Sequence, residues 1–99
     1  MGRNGKKDAV FTAVVKFISS NFNKEVSSKE ILLGKEPGRN AETAYLYKFI
    51  KLGYVEPLDN CFVSDKQARF KIVKELNPRY TSVMIKKDLR LINGFAGDI

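Results

Sequence analysis

The 99-residue chain predicts a small α+β domain: a three-helix core, then a β-hairpin, then a C-terminal helix. Three observations point there. An apolar stripe at helical spacing opens the chain. Residues 26 to 57 read as two short helices, a stop and a strand. A second alternating run, Arg69 to Val73, can return against that strand.

The stripe is Val10, Phe11, Val14, Phe17, Ile18 and Phe22, as expected of a first core helix. Ahead of it, residues 1–6 form an expected flexible basic arm carrying Arg3 and Lys6, with Lys7 just beyond. Such an arm adds phosphate or minor-groove contacts, or serves only as a solubilising tail. The basic start followed by an apolar run has the outline of a secretory leader. However, Asp8 and Lys16 interrupt the run and no small-residue cleavage site follows, so a cytoplasmic protein is expected. No run reaches the length of a membrane span, and no membrane partner is expected.

The second helix announces its start twice. Ser27 and Glu30 make an S-x-x-E capping box, and Val26 and Ile31 occupy the staple positions around it. Gly34, suited to the left-handed conformation, and Pro37 end it, leaving Gly34 to Arg39 as a turn. Asn40 is a good cap for a third helix that runs to Leu52 and stops at Gly53. At about 100° per residue, Leu46, Phe49 and Ile50 share one face of it, with Gly53 near the same line. Asn40, Ala41, Ala44, Tyr47, Lys48 and Lys51 fall on the other.

Tyr54 to Pro57 is a short strand that Pro57 closes or leaves at an edge. In the returning strand Phe70 and Ile72 share a face, while Arg69, Lys71 and Val73 take the other. Leu58-Asp59-Asn60 is turn chemistry, and Cys61-Phe62-Val63 can extend either strand. The connection is about ten residues, long for a hairpin, which suggests a projecting tip. Its polar residues are Asp59, Asn60, Ser64, Lys66 and Gln67, fit for contact or for a plain surface loop. Residues 76–99 are the C-terminal extension. Asn77-Pro78 is a cap and first-turn pair, and Val83, Met84, Ile85, Leu89 and Ile92 gather on a broad helical face before Asn93-Gly94. The alternation of Val83 with Ile85 and of Leu89 with Leu91 also suits strands; a helix beginning between Pro78 and Ser82 is preferred. Its apolar face either packs on the first helix or pairs with a second copy, and Phe95 offers an apolar anchor beyond it.

Residues 7–75 resemble a winged helix-turn-helix domain of the broad bacterial, archaeal and phage transcription-regulator type. The likeness is carried by Val26-Ser27-Ser28-Lys29-Glu30-Ile31, by Leu46, Ile50 and Leu52-Gly53-Tyr54-Val55, and by Arg69-Phe70-Lys71-Ile72. The resemblance implies that the helix over residues 40–52 enters the major groove and that the hairpin touches flanking backbone or minor groove. It also implies a homodimer through the C-terminal helix, whose two-fold symmetry matches a palindromic site. Two features depart from the pattern. The turn from Gly34 to Arg39 is long, with two glycines and a proline, and the outer helix face has no arginine. Arg39, just ahead of it, is therefore the expected guanine reader, and duplex binding is better supported than sequence specificity.

Composition agrees with one soluble globular domain: 43% hydrophobic and 29% charged residues, enough for one modest core. Eighteen Lys and Arg against eleven Asp and Glu give +7, which favours polyanionic partners. The excess lies outside the hairpin. Residues 1–26 carry five basic and two acidic groups, residues 27–53 five and three, residues 54–77 four of each, and residues 78–99 four and two. One cysteine excludes an internal disulfide and, with no histidine, removes the usual zinc and haem ligand sets, so neither metal nor cofactor is expected. Cys61 is expected to be a buried small hydrophobe. No internal repeat, P-loop or close carboxylate pair is found, and no enzyme activity is expected.

The expectation is a small transcriptional regulator that binds double-stranded DNA. Its site comprises Arg39, Asn40, Ala41, Thr43, Ala44, Tyr47, Lys48 and Lys51, with Lys29 and Lys66. Small Ala41 and Ala44 permit close approach, Lys48 and Lys51 hold phosphates, and Tyr47 and Asn40 approach the groove. The alternatives are a protein-interaction module using Tyr45, Tyr47 and the last helix, and a structured-RNA binder.

Overall fold

The computed structural model describes residues 5–93, and the side chains of residues 9–92. Along the chain run α1 (Gly5–Ser20), β1 (Glu25–Ser27), α2 (Ser28–Ile31), α3 (Ala41–Lys51), β2 (Val55–Pro57), β3 (Arg69–Ile72) and α4 (Ser82–Asn93). The strands form one antiparallel sheet in the order β1-β3-β2. Of the expected basic arm, Gly5 and Lys6 begin α1, while residues 1–4 lie outside the described residues, as does the expected anchor Phe95.

Phe11, Val14, Val15 and Ile18 of α1 are buried and α1 packs on α2 and α3. Val10 and Phe17 are half-buried, but Phe22 lies past the helix end and is exposed. The capping box at α2 is complete: Ser27 Oγ accepts from the Glu30 amide at 3.2 Å, and the Ser27 amide donates to Glu30 Oε1 at 2.8 Å. Those donors hold the Glu30 carboxyl below the usual carboxylate range.

α2 ends one residue earlier than glycine placement suggests. Leu33 already has φ +58°, ahead of Gly34 at +89°. The Leu33 and Gly34 amides donate to the Glu30 and Lys29 carbonyls at 3.1 and 2.8 Å, closing the helix in a Schellman pattern. α3 ends the same way: Gly53, at φ +87°, donates to Ile50 O and Tyr54 to Phe49 O, both at 3.0 Å. This turn delivers the chain into β2.

The third strand, β1, departs from the expected two-stranded hairpin. Val26, read as a helix-flanking apolar residue, pairs instead with Phe70, and Pro57 pairs with Phe70 from the other side. Phe70 and Ile72 are fully buried while Arg69 is exposed, as the alternation predicts. Outward-facing Lys71 lies between Glu25 and Glu56 across the two ladders, a favourable charge arrangement.

The β2–β3 loop does not project. The Ser28 amide donates to Ala68 O at 2.9 Å, and Val63 and Ala68 are buried in the common core, so the loop folds back on α2. Of the large apolar side chains of the loop, Phe62 turns outward, 78% exposed. Cys61 is half-buried rather than interior, its thiol 3.5 Å from Arg69 O.

α4 begins where expected, but its cap differs. Asn77 Oδ1 accepts from the Arg79 amide in a local turn, and Thr81 Oγ1 caps α4 by accepting from the Met84 amide at 3.2 Å. Of the broad apolar face, Ile85 is buried and Leu89 half-buried, while Val83, Met84, Leu91 and Ile92 are exposed. The joint to the core is aromatic. Tyr80 packs among Phe11, Phe49 and Tyr54, with centroids 5.9 to 6.4 Å apart, and its hydroxyl donates to Asp88 of α4. Burial, then the Asp88 bond, pushes the Tyr80 hydroxyl well above the usual phenol range. Burial and the Asp88 charge raise Tyr54 as well.

Candidate nucleic-acid interface

α3 divides as its periodicity predicts. Leu46 and Phe49 are buried and Ile50 half-buried against the core, whereas Ala44, Tyr47 and Lys51 are exposed. Ala41 and Lys48 lie half-buried at the edges of that outer face. The Lys48 ammonium stands 5.4 Å from the Tyr45 ring centroid, a cation–π contact, and Tyr45 meets Phe11 edge-on at 5.1 Å. The Lys48 charge is thus tethered to the core in the last turn of the helix. Lys51 has no ion pair among the described residues, and neither does exposed Arg39 at the opposite end of α3.

Two expected contact residues are committed to the turn instead. Asn40 Oδ1 accepts from the Thr43 amide at 2.8 Å, and Asn40 Nδ2 donates to Glu36 O at 2.9 Å. Both ends of the amide thus hold the turn and fix its orientation, leaving one N–H and one lone pair for any further contact. Thr43 is 5% exposed, and its Oγ1 accepts from the Gly38 amide at 3.2 Å. Its place at the front of α3 made it a contact candidate; burial makes it a residue that positions the turn. Glu42 is buried in the same first turn, where the helix dipole favours negative charge.

The consequence is a fixed platform. Gly38, Arg39 and Asn40 join Ala41, Ala44, Tyr47 and Lys48 around a shallow concavity of about 540 Å³. Its cations are Arg39 and Lys48, its aromatic groups Tyr45 and Tyr47, and its only small side chains the two alanines and Gly38. No family model, curated protein or solved structure compared with this chain matches it. The chemistry of this surface therefore carries the functional argument.

Lys29 and Lys66 lie elsewhere. They line a separate cleft under the α2–α3 turn, where Lys66 Nζ is 3.3 Å from Glu36 Oε1. The juxtaposition of Lys66 with this turn follows from the loop folding back, which no local pattern signals. Among the described residues no group of three or more Cys, Asp or Glu is arranged to hold a metal ion. No described helix is long and apolar enough to cross a membrane.

Proposed function

We propose that the chain is a winged helix-turn-helix domain that binds double-stranded DNA through the outer face of α3, as a small cytoplasmic transcriptional regulator. The observation that carries this reading is the set of cations at the two ends of α3: Arg39 ahead of it, and Lys48 and Lys51 in its last turn, none in an ion pair among the described residues. The element order and the β1-β3-β2 sheet are compatible with that layout.

An α-helix about 10–12 Å across fits a major groove about 12 Å wide. Ala44 and Ala41 let the backbone come close, and Lys48 and Lys51 meet phosphates. The exposed Tyr47 supplies a ring for sugar and a hydroxyl for a phosphate oxygen. Arg39 is the residue able to take guanine O6 and N7 in a bidentate contact. Asn40 and Thr43 act through the turn they hold. The test is fluorescence anisotropy of a mixed-sequence DNA duplex at about 50 and 200 mM salt, with an RNA duplex of equal length as competitor. Salt-sensitive DNA binding that RNA displaces poorly supports the reading; better displacement by RNA selects a structured-RNA binder, and no binding at low salt removes nucleic acid.

A second observation favours a protein contact as well. Val83, Leu91 and Met84, 73%, 65% and 47% exposed, span an arc of about 100° on α4. We assign this arc to a second copy of the chain, which would present two α3 helices to a two-fold site. Leu91→Lys is expected to convert a dimer to a monomer in sedimentation equilibrium; a wild-type monomer at all concentrations removes the homodimer and leaves the arc to another protein.

A further inference from the structure

The cleft between α2, the α2–α3 turn and the β2–β3 loop has the makings of a phosphate seat, independent of the α3 face. Its walls are Ser28, Lys29, Lys35, Glu36, Pro37 and Lys66, around a volume of about 130 Å³. That is room for a few waters or one tetrahedral oxyanion. Three lysines and one glutamate line it, a local charge balance of +2, and of the lysines Lys66 meets the glutamate. Each lysine comes from a different element: Lys29 from α2, Lys35 from the turn, Lys66 from the loop. The Ser28 amide bond to Ala68 O, 2.9 Å, pins the loop in place and so keeps Lys66 at this cleft.

A second, independent observation comes from the cleft wall. Ser28 is 1% exposed, and its hydroxyl is the one buried side-chain polar atom among the described residues that lacks a hydrogen-bond partner. Buried hydroxyls are ordinarily paired, and an orphan needs a reason. An oxyanion in the cleft supplies an acceptor once the Ser28 side chain turns toward it, because its oxygen is closed to solvent in the structure. The carboxylate of Glu36 meanwhile engages Lys66 at 3.3 Å through a pair whose two side chains are both largely exposed. Such a surface pair is weak and readily exchanged.

We propose that this cleft binds a phosphate group through Lys29, Lys35, Lys66 and the Ser28 hydroxyl, and that Glu36 is an internal competitor which the phosphate displaces from Lys66. A carboxylate and a phosphate oxygen accept from an ammonium in the same way, but a phosphate offers more acceptor oxygens to three lysines at once. The seat is thereby held partly neutralised until a phosphate arrives. The phosphate is either free in solution or part of a nucleic-acid backbone.

The experiment is an amide chemical-shift titration of the full chain with inorganic phosphate, against chloride at matched ionic strength, and separately with a DNA duplex. Inorganic phosphate is expected to shift the Ser28, Lys29, Lys35 and Lys66 amides saturably. Glu36→Gln should tighten this about threefold to fivefold, whereas Glu75→Gln, a carboxylate outside the cleft, should not. Ser28→Ala should weaken it about threefold while leaving the melting temperature unchanged or raised, since the hydroxyl it removes has no partner. If the duplex shifts the same four amides, the phosphate is that of a backbone. If only inorganic phosphate does so, the seat is for a small anion, whatever the α3 face binds. Absence of saturable shifts in both titrations, or equal effects of Glu36→Gln and Glu75→Gln, overturns the proposal.

Discussion

Asn40→Ala should destabilise the domain by about 2 kcal/mol, although Asn40 is not one of the apolar core residues. The side chain makes two hydrogen bonds in the structure, accepting from the Thr43 amide at 2.8 Å and donating to Glu36 O at 2.9 Å. Loss of the cap costs about 1 kcal/mol, and loss of a second ordinary hydrogen bond about another 1. For a domain of this size the two together lower the melting temperature by about 8–16 °C. Asn40→Asp separates the contributions, because a carboxylate still accepts from Thr43 but cannot donate to Glu36 O. It should cost about half as much. Urea denaturation followed by far-UV circular dichroism measures both, with an unchanged m-value showing that the folded and unfolded surfaces are the same. A cost below about 0.5 kcal/mol for alanine, or an aspartate as damaging as alanine, would refute the assignment of Asn40 to the turn. It would also return Asn40 to the set of residues free to meet a ligand.

Two further outcomes follow from the joints of the fold. Tyr80 has its folded-state hydroxyl pKa raised above that of the unfolded chain, so its contribution is fully present below about pH 10 and is lost as pH climbs through the folded value. Tyr80→Phe should therefore lower stability at pH 7 by about 1 kcal/mol, through the lost Asp88 bond, and flatten the alkaline decline seen by urea titration at pH 9 to 11; an equally steep decline in the variant would dissociate it from Tyr80. At Gly53, φ is +87° and an added Cβ would meet nothing within 4 Å, so the strain of Gly53→Ala is conformational alone. A loss of about 1–2 kcal/mol is expected by calorimetry, and a neutral result would contradict a Schellman stop to α3.

Much of the fold was legible because its signals are local. The Ser27–Glu30 box, the Asn40 cap and the Gly53 stop each depend on neighbours within a few residues, and each stands in the structure. The inward Leu46 and Phe49 and the alternation of β3 needed only helical and strand periods. What escaped was decided by distant chain. β1 has three residues and one buried side chain, and it is a strand because Phe70 pairs with Val26 across the sheet. The β2–β3 loop folds back because Val63 and Ala68 find the core. On α4, the sequence offers one broad apolar face; the Tyr80–Asp88 bond holds the helix with Ile85 inward and Val83 and Leu91 outside. The candidate site was legible as a face, from Ala44 through Tyr47 to Lys51. It was less legible residue by residue, since nothing local shows that the Thr43 hydroxyl turns back to Gly38 or that Asn40 uses both ends of its amide.

The central claim is that α3 presents its cations to a duplex, and the salt dependence of binding tests it most directly. With Lys48 and Lys51 changed to alanine, the slope of log affinity against log salt should fall by about two units, because two fewer counterions are released from the DNA. Lys16→Ala with Lys24→Ala, both exposed and on neither α3 nor α4, removes the same net charge from a different surface and should leave the slope nearly unchanged. Equal slopes for wild type and the Lys48 and Lys51 variant, or an equal drop for the Lys16 and Lys24 control, would contradict the account.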